Sequence, residues 1–290
     1  MKIKESLGSR IFDGFNILFM VGIMIITVYP FYQILIVSIS DPMQVMLGNV
    51  KWYPIGITWA SYAKVFKEAS IWRCYLNTII YTVSGTAVNM VMTACCAYPL
   101  SRPDMPFKSI FTQIILLTMF FSGGMIPGYL LILNLHLKNT IWAIILPGAI
   151  STYNMIVMRT FFQGIPNELH ESAEIDGAHD LTILCKIILP LSIPCMATLT
   201  LFYAVGHWNS WFNALLYLDS QKQFPVQLLL REILNNNMGD LAVKSGVETE
   251  ITQTSIKYAV IIVTTLPILC VYPFIQKYFV KGVMVGSIKG

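Results

Sequence analysis

The chain has 290 residues, of which 56% are hydrophobic and only 12% are charged, with a formal net charge of +4 and a mean hydropathy of +0.65. The charged share is about half that of an average soluble domain, so a soluble globular protein is excluded and a membrane protein is indicated. The small positive charge also gives no support to nucleic-acid binding.

Six stretches with few or no charged residues predict the membrane-spanning helices. A helix needs about 20 apolar residues to cross the hydrocarbon of a bilayer. The spans are predicted at approximately 14–38, 74–98, 109–131, 139–161, 187–207 and 258–276. We therefore predict an all-α integral membrane protein with six transmembrane helices in a single domain, residues 1–290.

Basic residues predict the orientation of these spans. An even number of spans puts both termini on one side, and the basic tails and the short connection with Arg102 and Lys108 favour the cytoplasm. Long outer loops are then expected at 41–73 and 208–257. Proline and glycine interrupt several spans, which predicts kinked helices that serve either a cavity or ordinary bundle packing; these residues are Pro30, Gly123, Gly124, Pro127, Pro147, Pro190, Pro194, Pro267 and Pro273.

The cytoplasmic loop 164–186 has the pattern of a short acidic helix. Pro166 suits a first helical turn, the acidic residues that follow suit the positive end of the helix dipole, and Gly177 suits the position just after a helix end. With Ser172 and Ala173 small enough for close approach, the helix could dock in a groove of a soluble partner. A solvated connector is the other interpretation. His170 and Glu174 share a helix face, but two ligands do not make a metal site, so no metal is expected.

This loop resembles the EAA motif of ATP-binding-cassette importer permeases, E-A-A-x3-G-x9-I-x-L-P. The matching residues, with Asp176 inside the same segment, are Glu171, Ser172, Ala173, Gly177, Ile187, Leu189 and Pro190. Ser172 replaces an alanine of the motif and is equally small. Trp59–Tyr62, Trp208–Asn209 and the ending 278–290 are similar to carbohydrate permeases of the MalG type, and within them to the branch named after lipoprotein or uronate-oligosaccharide uptake.

The resemblance implies a type I importer permease fold and a set of partners. These are a second homologous permease, a dimer of ATPase subunits, an extracytoplasmic solute-binding lipoprotein, an oligosaccharide substrate and the lipid of a bacterial inner membrane. The chain itself is expected to be non-catalytic and to hold no cofactor, since ATP and Mg²⁺ belong to the ATPase subunits. It has no G-x4-G-K-[ST] loop of its own. In this picture the EAA residues and Asp176 couple ATP hydrolysis to transport.

A pathway for a hydroxyl-rich solute should be lined by amides, hydroxyls and aromatic rings. The candidate pathway residues are Asn77, Ser84, Asn154, Trp208, Asn209 and Trp211. Hydrogen bonding between helices is the alternative role for each polar member of this set. The polar stretch Gln221–Pro225 with Asn235–Asn237 is expected to reach toward a binding protein.

Two other classes of function remain as alternatives. A secondary carrier or channel would work without nucleotide, although ion-coupled carriers usually place ionisable residues at membrane depth, and the predicted spans have almost none. A membrane-bound transferase would need a charged or metal-binding cluster at a membrane face. The acidic cluster of this chain matches a docking motif instead.

Overall fold

The computed structural model describes residues 7–235 and 255–270, and within these ranges the regular secondary structure is entirely helical. The predicted all-α class is confirmed. The α-helices are α1 (Leu7–Ser38), α2 (Pro42–Met46), α3 (Ala60–Lys67), α4 (Ala69–Ser101), α5 (Lys108–Phe120), α6 (Met125–Asn134), α7 (Ile141–Ile145), α8 (Thr152–Gln163), α9 (Glu168–Ile175), α10 (Asp180–Ile183), α11 (Leu189–Leu191), α12 (Ile193–Trp208), α13 (Phe212–Tyr217), α14 (Val226–Asn235) and α15 (Ser255–Cys270). Turns of 3₁₀ type lie at Leu146–Gly148 and Gln221–Gln223, and a π turn lies at Leu184–Ile188.

Two of these helices, α1 and α4, are each long and apolar enough to cross a membrane alone. Three bent pairs of helices qualify only if each pair counts as one span, so the described residues hold two to five spans. The predicted count of six transmembrane helices is therefore not established by the described residues. The apolar helix α15 covers the first part of the predicted span 258–276, and residues 271–276 lie outside the described residues.

The bends lie at the proline and glycine positions that predicted kinks. The pair α5 and α6 turns by 111° where Gly124 has a φ of +85°. The pair α7 and α8 turns by 55° beside Pro147 in its 3₁₀ turn. The helices on either side of Ser192 turn by 87°, just after the π turn and Pro190. Proline removes a backbone donor and glycine tolerates a left-handed backbone, so each break has a local cause.

The described residues divide into two compact units. One contains 7–69 with 232–235 and 255–266, and the other contains 70–231 with 267–270. In the first unit, Val50 packs with the end of α1 and with Tyr258 of α15. Asp41 starts α2 there by accepting hydrogen bonds from the backbone of Met43 and Gln44. Part of the predicted outer loop 41–73 is therefore helical.

The second unit holds every residue of the two predicted sites. Its larger core cluster joins the last turns of α4 to α8, α9 and α12 through residues such as Ala97, Met158 and Leu199, each fully buried. A second cluster joins the beginning of α4 to α13 and the start of α14 through Cys74, Ala214 and Val226. The two clusters lie at opposite ends of the 33-residue helix α4.

Candidate functional site

The segment between α8 and α10 folds as the sequence predicts. Pro166 lies just before α9, and the carbonyl of Asn167 accepts hydrogen bonds from the backbone N–H groups of His170 and Glu171. The side-chain amide of Asn167 also donates to Glu171 Oε1 at 2.7 Å. Glu168 and Glu171 lie in the first turn, where the positive end of the helix dipole stabilises their negative charges.

A Schellman turn ends α9 at Gly177. The N–H of Gly177 donates to Glu174 O and the N–H of Ala178 donates to Ala173 O, both at 2.9 Å. Gly177 has a φ of +81°, which confirms the predicted glycine stop with a left-handed backbone. No heavy atom lies within 4 Å of the place where a Cβ would stand, so backbone conformation alone selects glycine here.

The side chains of α9 divide into an outward face and an inward face. Of the predicted coupling residues, Glu171, Ser172 and Asp176 are exposed, as is Gly177 after the helix. Ile175 stands on the outer side with 87% of its surface exposed. Ala173 differs from the expectation because it is buried in the core cluster of the second unit and is not open to a partner. Its small size serves close packing inside the chain.

The later residues of the motif lie in the bent entry to α12. Ile187 and Leu189 pack against the same core cluster as Ala173, whereas Pro190 is exposed. The π turn ends directly before Leu189, and Pro190 offers no N–H to continue a regular helix. The structure thus joins the first and last parts of the motif through the core.

A polar cluster that the sequence analysis did not predict lies behind α9. His170 is only 4% exposed, and its Nε2 lies 2.7 Å from the hydroxyl of Tyr98 on α4. Its Nδ1 lies 3.3 Å from Glu174 Oε1 but forms no hydrogen bond of good geometry. Asp180 lies 3.7 Å from Nε2, and Arg102 reaches Glu174 Oε1 at 3.4 Å.

This cluster has the composition of a three-ligand cation site, but two of its three side chains already have partners within the chain. Ligand atoms of His170, Glu174 and Asp180 lie within 4.8 Å of one another. Arg102 Nε lies 3.1 Å from Asp104 Oδ1, and its Nη2 lies 3.4 Å from Glu174 Oε1, so two carboxylates share one guanidinium. Because Glu174 is paired with Arg102 and His170 Nε2 is hydrogen-bonded to Tyr98, the geometry favours a polar network over a metal centre. A cavity of about 380 Å³ borders the cluster, lined by Tyr98, Arg102 and Asp180 among others.

Of the candidate pathway residues, three use their polar groups within the chain. Asn77 donates from Nδ2 to the carbonyls of Lys222 and Phe224, at 2.9 and 3.1 Å. Ser84 donates to Ile80 O of its own helix, and Asn209 donates to Val205 O at 3.0 Å. The Gln221–Pro225 stretch is thus held against α4, and residues 236 and 237 lie outside the described residues.

The tryptophans of the set lie near the beginning of α4. The ring of Trp208 lies 6.5 Å from that of Tyr75, and its Nε1 is buried without a hydrogen-bond partner. The guanidinium of Arg231 lies 3.5 Å above the ring of Trp211, a cation–π contact. Asn154, by contrast, is buried at the start of α8 with 7% exposure.

A second unpredicted contact fixes the middle of α4. His207 Nε2 lies 2.6 Å from Asn89 Oδ1, and the amide of Asn89 donates to the carbonyls of Gly148 and Ala149. These carbonyls lie at the break between α7 and α8, where the helical pattern leaves them without partners. Gly85 gives the histidine ring its space, since a Cβ there would lie 2.5 Å from Nε2.

Comparison with known proteins agrees with this architecture. The family model described as "Binding-protein-dependent transport system inner membrane component" matches residues 7–285. Two proteins of Bacillus subtilis (strain 168) are each 41% identical: the polygalacturonan/rhamnogalacturonan transport system permease protein YtcP, over 97% of this chain and 99% of that protein, and Protein LplC, over 98% and 96%. A chain in the crystal structure of a bacterial ABC transporter involved in the import of the acidic polysaccharide alginate is 33% identical, with a TM-score of 0.90, over 96% of this chain and 100% of that chain.

Proposed function

Because this chain belongs to the family of binding-protein-dependent transport system inner membrane components, we propose that it forms half of the translocation pathway of an ATP-driven oligosaccharide importer and couples that pathway to ATPase subunits through segment 164–186. It is a non-catalytic permease subunit of an ABC transporter, as its family and its relatives are. In the proposed assembly, ATP and Mg²⁺ are bound by a dimer of partner ATPase subunits. The second permease and the solute-binding lipoprotein complete it.

The observation that carries the coupling role is the form of α9. It is an eight-residue helix with an exposed acidic and apolar outer face, a fixed inner face and a glycine stop. A short helix held rigidly on one side can transmit force applied on the other. Glu171, Ser172, Asp176 and Gly177 are proposed to meet the ATPase, whereas Ala173, Ile187 and Leu189 hold the helix to the core.

The proposed substrate is an acidic oligosaccharide. The relatives named for polygalacturonan/rhamnogalacturonan and for alginate support this choice. A uronate carboxylate needs a cation on its route, and sugar rings stack on aromatic faces. Arg231 supplies a cation, held over the ring of Trp211, and the predicted pathway residue Trp208 supplies an aromatic ring.

The proposed topology is a multi-pass protein of a bacterial cell membrane with six spans and both termini in the cytoplasm. Counting each bent pair as one span gives five, and α15 is the candidate for the sixth. This arrangement puts α9 on the same side as the ATPase subunits. The secondary carrier and the membrane-bound transferase have no support in the family to which the chain belongs.

Reversing a charge on the outer face of α9 tests the coupling role. In Glu171→Lys we expect membrane insertion at the normal level, because the side chain is exposed and lies outside the spans. Co-purification of the ATPase subunits should fall severalfold, since a favourable contact becomes a repulsive one. The matched control is Glu68→Lys, an exposed charge reversal after α3, which should leave attachment unchanged. Full attachment in Glu171→Lys contradicts docking by this face.

A further inference from the structure

Three side chains on the inner face of α9 contact the end of α4. His170, Ala173 and Glu174 are spaced to share one helix face. His170 meets the hydroxyl of Tyr98 at 2.7 Å, and Glu174 meets Arg102, which directly follows α4, at 3.4 Å. Ala173 is buried in the core cluster that also contains Tyr98. Two polar contacts therefore attach α9 laterally to the end of α4.

The chain segments that connect α9 covalently to α8 and α12 contain turns and bends, so they transmit a movement less directly than the lateral contacts with α4. Before α9 the chain runs through Gly164 and Pro166, and after it through the left-handed Gly177. The path to α12 then includes a π turn and a bend of 87° at Ser192. In contrast, α4 is a single helix of 33 residues with Pro99 only in its last turn, and it is about 50 Å long at the rise of an α-helix.

We propose that Tyr98, His170, Arg102 and Glu174 form a joint that transmits movement of α9 to α4. This inference rests on the proposed docking of α9 to the ATPase. Asn77 is 21 residues before Tyr98 in the same helix, about 32 Å away along its axis. A displacement at the Tyr98 end of α4 is therefore carried along the helix to its beginning, where Cys74 belongs to one core cluster with Ala214 and Val226. The four residues are positioning residues, since none of them is proposed to touch substrate or nucleotide.

The hydrogen bond between His170 and Tyr98 is the stronger half of the joint. Both side chains are buried, with exposures of 4% and 7%. Removal of the hydroxyl would leave a buried ring nitrogen unpaired, which costs more than the net value of the bond itself. The pair of Arg102 with Glu174 is partly exposed on the glutamate side, where water screens it. The Arg102–Glu174 pair therefore orients α9 on α4 more than it stabilises the contact.

Uncoupling variants test the joint in the complete importer, reconstituted with its binding protein and with labelled trigalacturonate as the probe. In Tyr98→Phe and His170→Leu we expect the ATPase subunits to stay attached, because the outer face of α9 is intact. Uptake per ATP hydrolysed should fall by about 5- to 30-fold, the factor that the loss of one buried polar contact gives. His170→Gln keeps a polar group near the Tyr98 hydroxyl and should retain most of the coupling. Glu174→Gln should lower uptake per ATP less than Tyr98→Phe does, because Arg102 keeps its closer partner Asp104 at 3.1 Å.

The control for Tyr98→Phe is Tyr153→Phe, which removes the hydroxyl of a tyrosine that is 58% exposed on α8 and should leave uptake per ATP unchanged. Unchanged uptake per ATP in Tyr98→Phe and His170→Leu would overturn the joint. Loss of ATPase attachment in these two variants would overturn it as well, because the contact would then serve docking or folding. The proposed coupling function is tested separately: it fails if the ATPase subunits remain fully attached to the Glu171→Lys variant.

Discussion

The glycine at the end of α9 allows a quantitative prediction, because only the backbone conformation, and no neighbouring atom, disfavours a larger residue at this position. Gly177 has a φ of +81°, and a Cβ at this position would meet no heavy atom within 4 Å. Substitution therefore adds backbone strain without a clash. A left-handed conformation costs an ordinary L-residue about 1–2 kcal/mol, and a β-branched residue suffers most, whereas asparagine tolerates it best.

This strain competes with the two hydrogen bonds of the Schellman turn. If the turn opens to relieve φ, the bonds from Gly177 and Ala178 to the carbonyls of Glu174 and Ala173 are lost, and the last turn of α9 loses its fixed direction. A penalty of about 1–2 kcal/mol lowers the docking-competent population by about 5- to 30-fold. ATPase affinity should therefore fall in the order Gly, Asn, Ala, Val at position 177.

The assay is equilibrium binding of the purified ATPase subunits to the permease pair in nanodiscs. Gly148→Ala is the control for Gly177→Ala, because Gly148 also has open space around its Cβ position but no positive φ. It should bind the ATPase as well as the unmodified protein. Equal affinities for Gly, Asn and Val at position 177 would refute the reasoning, since they would show that the direction of α9 does not depend on this turn.

Two further predictions concern α4 and the end of α12. Gly85→Ala should lower the free energy of unfolding by about 1–3 kcal/mol, because the new Cβ would stand 2.5 Å from the ring of His207. Thermal unfolding of the purified protein measures this loss. The control is Gly206→Ala, where no atom lies within 4 Å of the new Cβ, and it should show no such loss. Trp208→Ala should reduce uptake more than it reduces ATP hydrolysis if this half-buried ring lines the route; an equal loss of both would indicate that the ring only packs against Tyr75.

Local features of the docking segment could be predicted from the sequence because neighbouring residues determine them. Pro166 and the acidic first turn of α9 favour helix initiation, and Gly177 favours its end. The positions of helix breaks were predictable for the same reason, since Gly124, Pro147 and Pro190 act on their own turns. The angles were not predictable, because a bend of 111° or 55° depends on which neighbours receive the freed backbone groups.

Contacts between distant residues escaped the sequence analysis. Helical spacing pairs His170 with Glu174, whereas its hydrogen-bonded partner is Tyr98, 72 residues earlier. Ala173 was expected to approach a partner because it is small, whereas burial depends on which face of α9 meets α4. The spacing of His170, Ala173 and Glu174 on one face was a usable signal. It becomes specific only when Tyr98 and Arg102 are known to lie opposite.

The polar residues of α4 show why residue type alone does not identify a transport pathway. An amide in a membrane span must satisfy its own hydrogen bonds before it can serve a passing solute. Asn77 donates two hydrogen bonds to the 222–224 turn, and Asn89 forms hydrogen bonds with His207 and with the break before α8. These amides therefore fix neighbouring segments to α4. If α4 moves as a rod, the 222–224 turn and the end of α12 move with it, so a shift at Tyr98 displaces both segments even if neither asparagine ever touches a sugar.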